Sequence, residues 1–289
     1  MASISYNTLS IDGVNVFYRE AGSRSNPVIL LLHGFPSSSH MYRDLMNDLA
    51  DRFYLIAPDY PGFGNSDMPD RGKYTYTFDN LSVTIEKFID ALKLTKFNLY
   101  MQDYGSPVGY RIAVRRPELI DALIIQNANA YEEGIGPAIE DGKRFWANRN
   151  TETENAMRNI LTQEGTKMQY IDGVEDVRKI SPDAYTYDQL FLDRPGNKEI
   201  QLDLLYDYRN NITLYPVWQK YLRNHQPPAL ITWGKNDAMF TEKGALAYKK
   251  DLPNAEIHLL NTGHFALEEF HTEIAAYIDL FLSAGNRLG

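Results

Sequence analysis

Short apolar runs alternate with segments of helical periodicity through the first part of this 289-residue chain. Val14 to Tyr18 and Val28 to Leu32 read as strands, separated by a Gly-Ser-Arg-Ser-Asn-Pro turn. The second run is apolar without a break, as expected of a strand buried on both faces of a parallel sheet. Ser38 to Arg52 carries Met41, Leu45, Met46 and Leu49 at helical spacing. Phe53 to Ala57 is the next strand, Leu81 to Leu92 a helix, and Phe97 to Met101 a strand. Val108 to Arg115 continues as a helix that stops before Pro117, and Ala122 to Gln126 returns to strand. This βαβα alternation predicts an α/β fold, a mostly parallel, doubly wound sheet with helices on both faces.

The alternation stops near Tyr131 and resumes with the strand Ala229 to Trp233. The helix Gly244 to Lys250, the strand Ile257 to Leu260 and the helix Ile274 to Leu282 follow. The intervening segment is polar, rich in Tyr and Asn, and helical or irregular. Roughly 95 residues are too many for a structureless loop. The expected organisation is a core of residues 1–130 and 227–289 with a mainly helical cap, 131–226, inserted into it. Pro227-Pro228 marks the return to the core, and no internal repeat or low-complexity segment is visible.

Composition narrows the picture by exclusion. Hydrophobic content of 44% and charged content of 23% are ordinary for a soluble globular protein, and the length suits one large domain with an insertion. A net charge of −9 argues against nucleic acid or an anionic membrane as the main partner. The absence of cysteine removes disulfides and thiolate chemistry and makes a cytoplasmic location the expectation. Met1 to Ser10 lacks a basic-then-apolar signal pattern, and no apolar run approaches the roughly 20 residues that span a bilayer. The 20 tyrosines offer rings with a polar tip, suited to an apolar pocket that needs a few hydrogen bonds.

Candidate chemistry gathers after four predicted strands, where open α/β sheets bind ligands. These places are His33-Gly34-Phe35-Pro36, Gln102-Asp103-Tyr104-Gly105, Trp233-Gly234-Lys235-Asn236-Asp237 and Asn261-Thr262-Gly263-His264-Phe265. In the second, an apolar run ends in a polar residue and a glycine before a helical pattern. A strand turning sharply into a helix and exposing one side chain looks like this, and here that side chain is Asp103. The three candidates, Asp103 as nucleophile, Asp237 as acid and His264 as base, stand in the order of the α/β-hydrolase fold. Blander readings compete: Asp103 as a helix N-cap, Ser106 as the nucleophile, Asp237 as a turn residue. Of six histidines, His264 alone follows a strand in a Gly-His-Phe turn; His33 is expected to shape the oxyanion loop. His40, His225, His258 and His271 show no constellation, and no metal-ligand spacing appears.

These motifs, with Asp59-Tyr60-Pro61-Gly62-Phe63-Gly64-Asn65-Ser66 after another strand, carry a resemblance over nearly the whole chain. The sequence resembles α/β-hydrolases of the aspartate-nucleophile branch: epoxide hydrolases, haloalkane dehalogenases and fluoroacetate dehalogenases. The resemblance implies that Asp103 attacks an electrophilic carbon and forms an ester. His264 then takes a proton from the water that hydrolyses it, while Asp237 orients the imidazole. Backbone N–H groups of Phe35 and Tyr104 would hold the oxyanion, each contributing about 3 kcal/mol. No cofactor beyond water is implied.

The leaving group divides the branch. Haloalkane dehalogenases place a Trp after the nucleophile and an Asn or Glu in the oxyanion loop, where this chain has Tyr104 and Phe35. Tyr206-Asp207-Tyr208-Arg209-Asn210 resembles the cap segment in which epoxide hydrolases carry an acidic tyrosine, making Tyr208 the candidate acid. A packing role for Tyr208 competes, and Tyr131, Tyr170, Tyr185 and Tyr187 compete for a second cap tyrosine. Trp146 would line the pocket or offer its indole to a halide, with ordinary packing as the competing reading. Gln102-Asp103-aromatic-Gly and Ile125-Gln126-Asn127-Ala128 look more like dehalogenases. Against a haloacid, Tyr104 replaces the nearest carboxylate-binding arginine and Arg111 lies two helical turns away. The expected activity is opening of an epoxide to a vicinal diol, with haloalkane or haloacid dehalogenation as the alternative. A cofactor-independent oxygenase and a ligand sensor are the remaining readings. The expected partners are a small, largely apolar substrate and water.

Overall fold

The computed structural model describes residues 3–285, so the outermost positions of the expected core, 1–2 and 286–289, lie outside it. Eight strands form one sheet: β1 (Ser5–Ile11), β2 (Val14–Ala21), β3 (Val28–Leu32), β4 (Tyr54–Pro58), β5 (Phe97–Gln102), β6 (Ile120–Gln126), β7 (Ala229–Gly234) and β8 (Glu256–Leu260). Their order is β1-β2-β4-β3-β5-β6-β7-β8; β1 and β2 pair antiparallel, as do β2 and β4, and every other pair is parallel. The doubly wound expectation holds, with an antiparallel edge added.

That edge includes a strand the apolar pattern does not announce. β1 is polar and mostly exposed, and it joins β2 through Asp12-Gly13, both at positive φ (50° and 82°). A two-residue turn of this kind matches the twist of the paired strands, so the hairpin is fixed by its turn.

The continuous apolar runs are explained by two cores. Leu30 and Leu32 of β3, Leu99 and Met101 of β5 and Ile231 of β7 face one side of the sheet. There helices α2 (Phe78–Ala91) and α3 (Gly105–Arg115) pack against each other. Ile29, Leu31, Tyr100 and Leu230 face the other side, under α1 (Arg43–Leu49) and α11 (Leu267–Gly285). Both faces of each central strand are thus dry.

Between β6 and β7 the chain forms α4 (Glu140–Ala147), α5 (Thr151–Arg158), α6 (Gln163–Ile171), α7 (Pro182–Leu192), α8 (Asn197–Asp207) and α9 (Arg209–His225). Helix α10 (Glu242–Ala247) lies between β7 and β8. Tyr208 is the joint between α8 and α9. Helix α9 is anchored by Trp218, 1% exposed, whose ring stacks on Tyr110 of α3 at 5.2 Å. No helix of the described residues is long and apolar enough to cross a membrane.

Chain order and strand order diverge at β3. From β3 the chain moves to β4 on one side, then crosses to β5 on the other. A crevice opens at the carboxyl ends of strands where this reversal occurs, and the loops after β3 and β5 carry Phe35 and Asp103.

Candidate active site

The bend after β5 is tight. Asp103 has φ +47°, a conformation that costs a non-glycine residue energy and persists where the surroundings enforce it. Two glycines make the bend possible. A Cβ on Gly105 would lie 2.1 Å from the Leu32 carbonyl oxygen, and one on Gly34 would lie 2.3 Å from Asp103 Cβ. The strand end, the following helix and the Phe35 loop therefore close on one another at contact distance.

Asp103 is 7% exposed, and its carboxylate is held by backbone donors. Phe35 N–H donates to Oδ1 at 2.7 Å, and the Tyr104 N–H also bonds this carboxylate. The other oxygen, Oδ2, lies 3.9 Å from His264 Nε2. One oxygen is thus clamped while the other faces the imidazole. Burial pushes the Asp103 carboxyl above its usual range, against the opposing pull of the imidazole and the two N–H groups. Tyr104, not Asp103, is the cap residue of α3, and the Asp103 carboxylate reaches across to the Phe35 loop and the imidazole. Ser106, fully buried, donates to the Asn129 carbonyl at 2.8 Å and faces away.

His264 Nδ1 lies 2.6 Å from Asp237 Oδ2. Asp237 accepts further bonds from Asn127 Nδ2 (2.8 Å) and from the N–H groups of Met239 (2.8 Å) and Phe240 (3.0 Å). With its oxygens so occupied, Asp237 fixes the ring and keeps a proton on Nδ1. Burial alone would lower the His264 pKa, but the charge and hydrogen bond of Asp237, with the Asp103 charge, outweigh it and raise it. His33 is buried and pushed down to about 3 by desolvation. Its ring bridges the Gly34 carbonyl (3.0 Å) and the Tyr60 N–H (3.2 Å), bracing the Phe35 loop.

Asp103, Phe35, Tyr104, Trp146 and Tyr208 line one cavity of about 180 Å³, closed by apolar side chains such as Ile139, Met157, Leu205 and Phe240. A second cleft, about 270 Å³, shares Ile160, Gln169 and Met239 with the first and reaches His264 and Asp237. A larger groove of about 470 Å³ lies on the surface beside Arg71, Arg149 and Asp203, whose charges pair with one another, and it touches none of the predicted residues.

Tyr208 is buried, stacks on Trp146 (5.4 Å, 12°) and feels the Asp103 charge, and burial holds its phenol well above the ordinary value. Its hydroxyl pairs with that of Tyr215, which also accepts from Asn129 Nδ2 at 3.2 Å. The Trp146 indole N–H is committed to the Leu205 carbonyl at 2.7 Å. Arg111 bonds the Pro107 carbonyl and Asn211 Oδ1 and does not line the cavity. Tyr131, Tyr170 and Tyr187 bond Asp251, Asp188 and Asn65, and Tyr185 packs on Tyr170.

Three residues escape the sequence reading. Tyr215 stands seven positions after Tyr208, two helical turns along the same face, a spacing that could have found it. Asn127, at φ +41°, ties three loops: its carbonyl accepts from Asp103 N–H, its Oδ1 from Gly234 N–H, and its Nδ2 serves Asp237. Gln102, fully buried, brings Nε2 to 3.0 Å from His264 Nε2. Gln102 and Asn127 stand in the two segments that look like dehalogenases, but nothing in the sequence says which loop or which base either amide serves. Among the described residues no group of three or more His, Asp or Glu is placed to hold a metal.

Residues 27–270 match the family model described as alpha/beta hydrolase fold. An uncharacterized hydrolase of Saccharomyces cerevisiae, YNR064C, is 44% identical over 275 residues, which span 92% of this chain and 93% of the yeast protein. Among solved structures, haloalkane dehalogenase DbeA from Bradyrhizobium elkani superposes with a TM-score of 0.77 at 23% identity, covering 98% of this chain and all of its own. Epoxide hydrolase VrEH1 from Vigna radiata does so with a TM-score of 0.77 at 21% identity, covering 97% of each chain. At these identities the two structures report a shared fold.

Proposed function

Since the chain belongs to the alpha/beta hydrolase fold family, we propose that it opens small, largely apolar epoxides to vicinal diols through an ester on Asp103. Asp103 Oδ2 attacks a ring carbon and the C–O bond breaks, while Tyr208, from the cap, donates its proton to the departing oxygen. Water then loses a proton to His264 Nε2 and attacks the ester carbonyl. Oδ1, already on the Phe35 N–H, carries the developing oxyanion. Collapse breaks the bond from the carboxyl carbon to Oδ2, the imidazolium returns its proton to the departing diol oxygen, and the proton left on the new Asp103 carboxyl restores Tyr208. Asp237 stabilises the imidazolium formed meanwhile.

The observation that carries the choice of leaving group is Tyr208. A phenol, rather than a free ring N–H, faces the cavity of the attacking carboxylate, and the one indole lining it spends its N–H on Leu205. An alkoxide needs a proton, which a phenol supplies; a halide needs only a donor. The fold neighbours include both activities, so the test compares them. Tyr208→Phe is expected to lower styrene oxide turnover by about 10²-fold or more while leaving any haloalkane hydrolysis little changed. Equal loss, or none, on both substrates contradicts the epoxide reading.

A further inference from the structure

Gln102 closes β5, one position before Asp103, and is fully buried. Its amide nitrogen sits 3.0 Å from His264 Nε2, the nitrogen not held by Asp237. Because Asp237 keeps a proton on Nδ1, Nε2 is the site where the ring gains and loses its second proton. In the neutral ring Nε2 offers a lone pair, and an amide N–H donates to it. In the imidazolium Nε2 carries a proton and needs an acceptor. The same amide holds one: Gln102 Oε1 is buried and has no partner. A buried acceptor left unpaired costs free energy and calls for a partner in some state of the molecule. Half a turn of the amide brings that oxygen to Nε2. Bare Gly34 makes the room, since a Cβ there would lie 2.3 Å from Oε1.

The groups facing the imidazole limit the alternatives. Asp237 approaches from the loop after β7, Asp103 from the β5 bend, and the rings of Phe240 and Phe265 flank it at 5.8 and 5.3 Å. Once Asp103 is an ester it has no negative charge to offer Nε2–H. Gln102 Oε1 is then the acceptor within reach.

We propose that Gln102 is a positioning residue for water activation: its amide N–H holds the Nε2 lone pair of the neutral ring until water takes its place, and its Oε1 accepts from Nε2–H when the ring is charged. This rests on the reading of His264 as the base that clears an Asp103 ester. The protein and its Gln102→Met and Gln102→Glu variants are mixed with styrene oxide in single turnovers. Ester on Asp103 is followed by rapid-quench mass spectrometry across the pH range in which an imidazole titrates. Gln102→Met is expected to slow ester hydrolysis about tenfold more than ester formation, because the imidazolium loses its acceptor. Its acid limb should move down by about one pH unit. Gln102→Glu, nearly isosteric, should move that limb up by adding a negative charge, and it carries the test if the methionine variant does not fold. A limb that stays in place in the variants, or rises in Gln102→Met, overturns the role of Gln102. Absence of any ester on the parent protein overturns this role and the proposed function together.

Discussion

His264 lies between two carboxylates of unequal duty. Asp237 holds Nδ1 at 2.6 Å, whereas Asp103 faces Nε2 across 3.9 Å and would lose its charge on becoming an ester. The raised His264 pKa therefore has a permanent contribution and a removable one, both working against the lowering effect of burial. The sign of the consequence is fixed. In the free protein the imidazole should titrate above 6.5, by NMR of the ring protons. In the ester the Asp103 charge is gone, so the pKa falls and the acid limb of ester hydrolysis should lie below the NMR midpoint. An acid limb at or above that midpoint would contradict the arrangement. At the alkaline end Tyr208, held well above 10 by burial, should stay protonated and impose no decline below about pH 10.

At this scale the sequence is legible where a residue type and a strand end coincide, as at Asp103, Asp237 and His264. It is silent where the partner lies far along the chain. Asn127 meets Asp237 across 110 positions and Gln102 meets His264 across 162. An amide at a strand end looks the same whether it packs or supports a base.

The two elements that matter most are joints. The β5–α3 bend sets Asp103, and the α8–α9 joint sets Tyr208. The first depends on close packing at Gly105 and Gly34 and the second on how α9 is moored to the core. Trp218 supplies that mooring: it stacks on Tyr110, and the Arg111 guanidinium lies 5.8 Å from its ring. Trp218→Ala empties a buried site and should cost about 3–5 kcal/mol of stability in urea denaturation. Because Tyr215 is on α9 and Tyr208 is at its start, the surviving folded fraction should also turn over epoxide more slowly. A loss below about 1 kcal/mol would mean that α9 is held by other contacts.

Elements with one dry stripe or two dry faces are legible from spacing, and the parallel strands follow the apolar runs to within a few residues. β1 is not, because an exposed edge strand has no buried face to leave a pattern; its signal is the Asp12-Gly13 turn. The fate of the Trp146 indole is likewise hidden, since its acceptor is the backbone carbonyl of Leu205 on another helix.

Over the whole molecule the arrangement follows from topology. The chain crosses from β4 over β3 to β5, opening a crevice at the carboxyl ends of β3 and β5. Backbone donors from one loop and a carboxylate from the next meet there, and the helices between β6 and β7 close the cavity above them. On the proposed function, such a shape would confine a small apolar epoxide against Asp103; the imidazole borders a neighbouring cleft. The order of motifs made this plan readable from the sequence; the choice of leaving group was not, because it depends on which hydroxyl and which N–H the folded cavity leaves free.

On the proposed function everything depends on a covalent ester that forms on Asp103 and is cleared by His264. The direct measurement is peptide mass spectrometry of His264→Gln after exposure to styrene oxide and, separately, to a short haloalkane. The peptide containing Asp103 is expected to gain the full mass of the epoxide, and Asp103→Asn to abolish the adduct. An unmodified Asp103 peptide with turnover intact would contradict this chemistry.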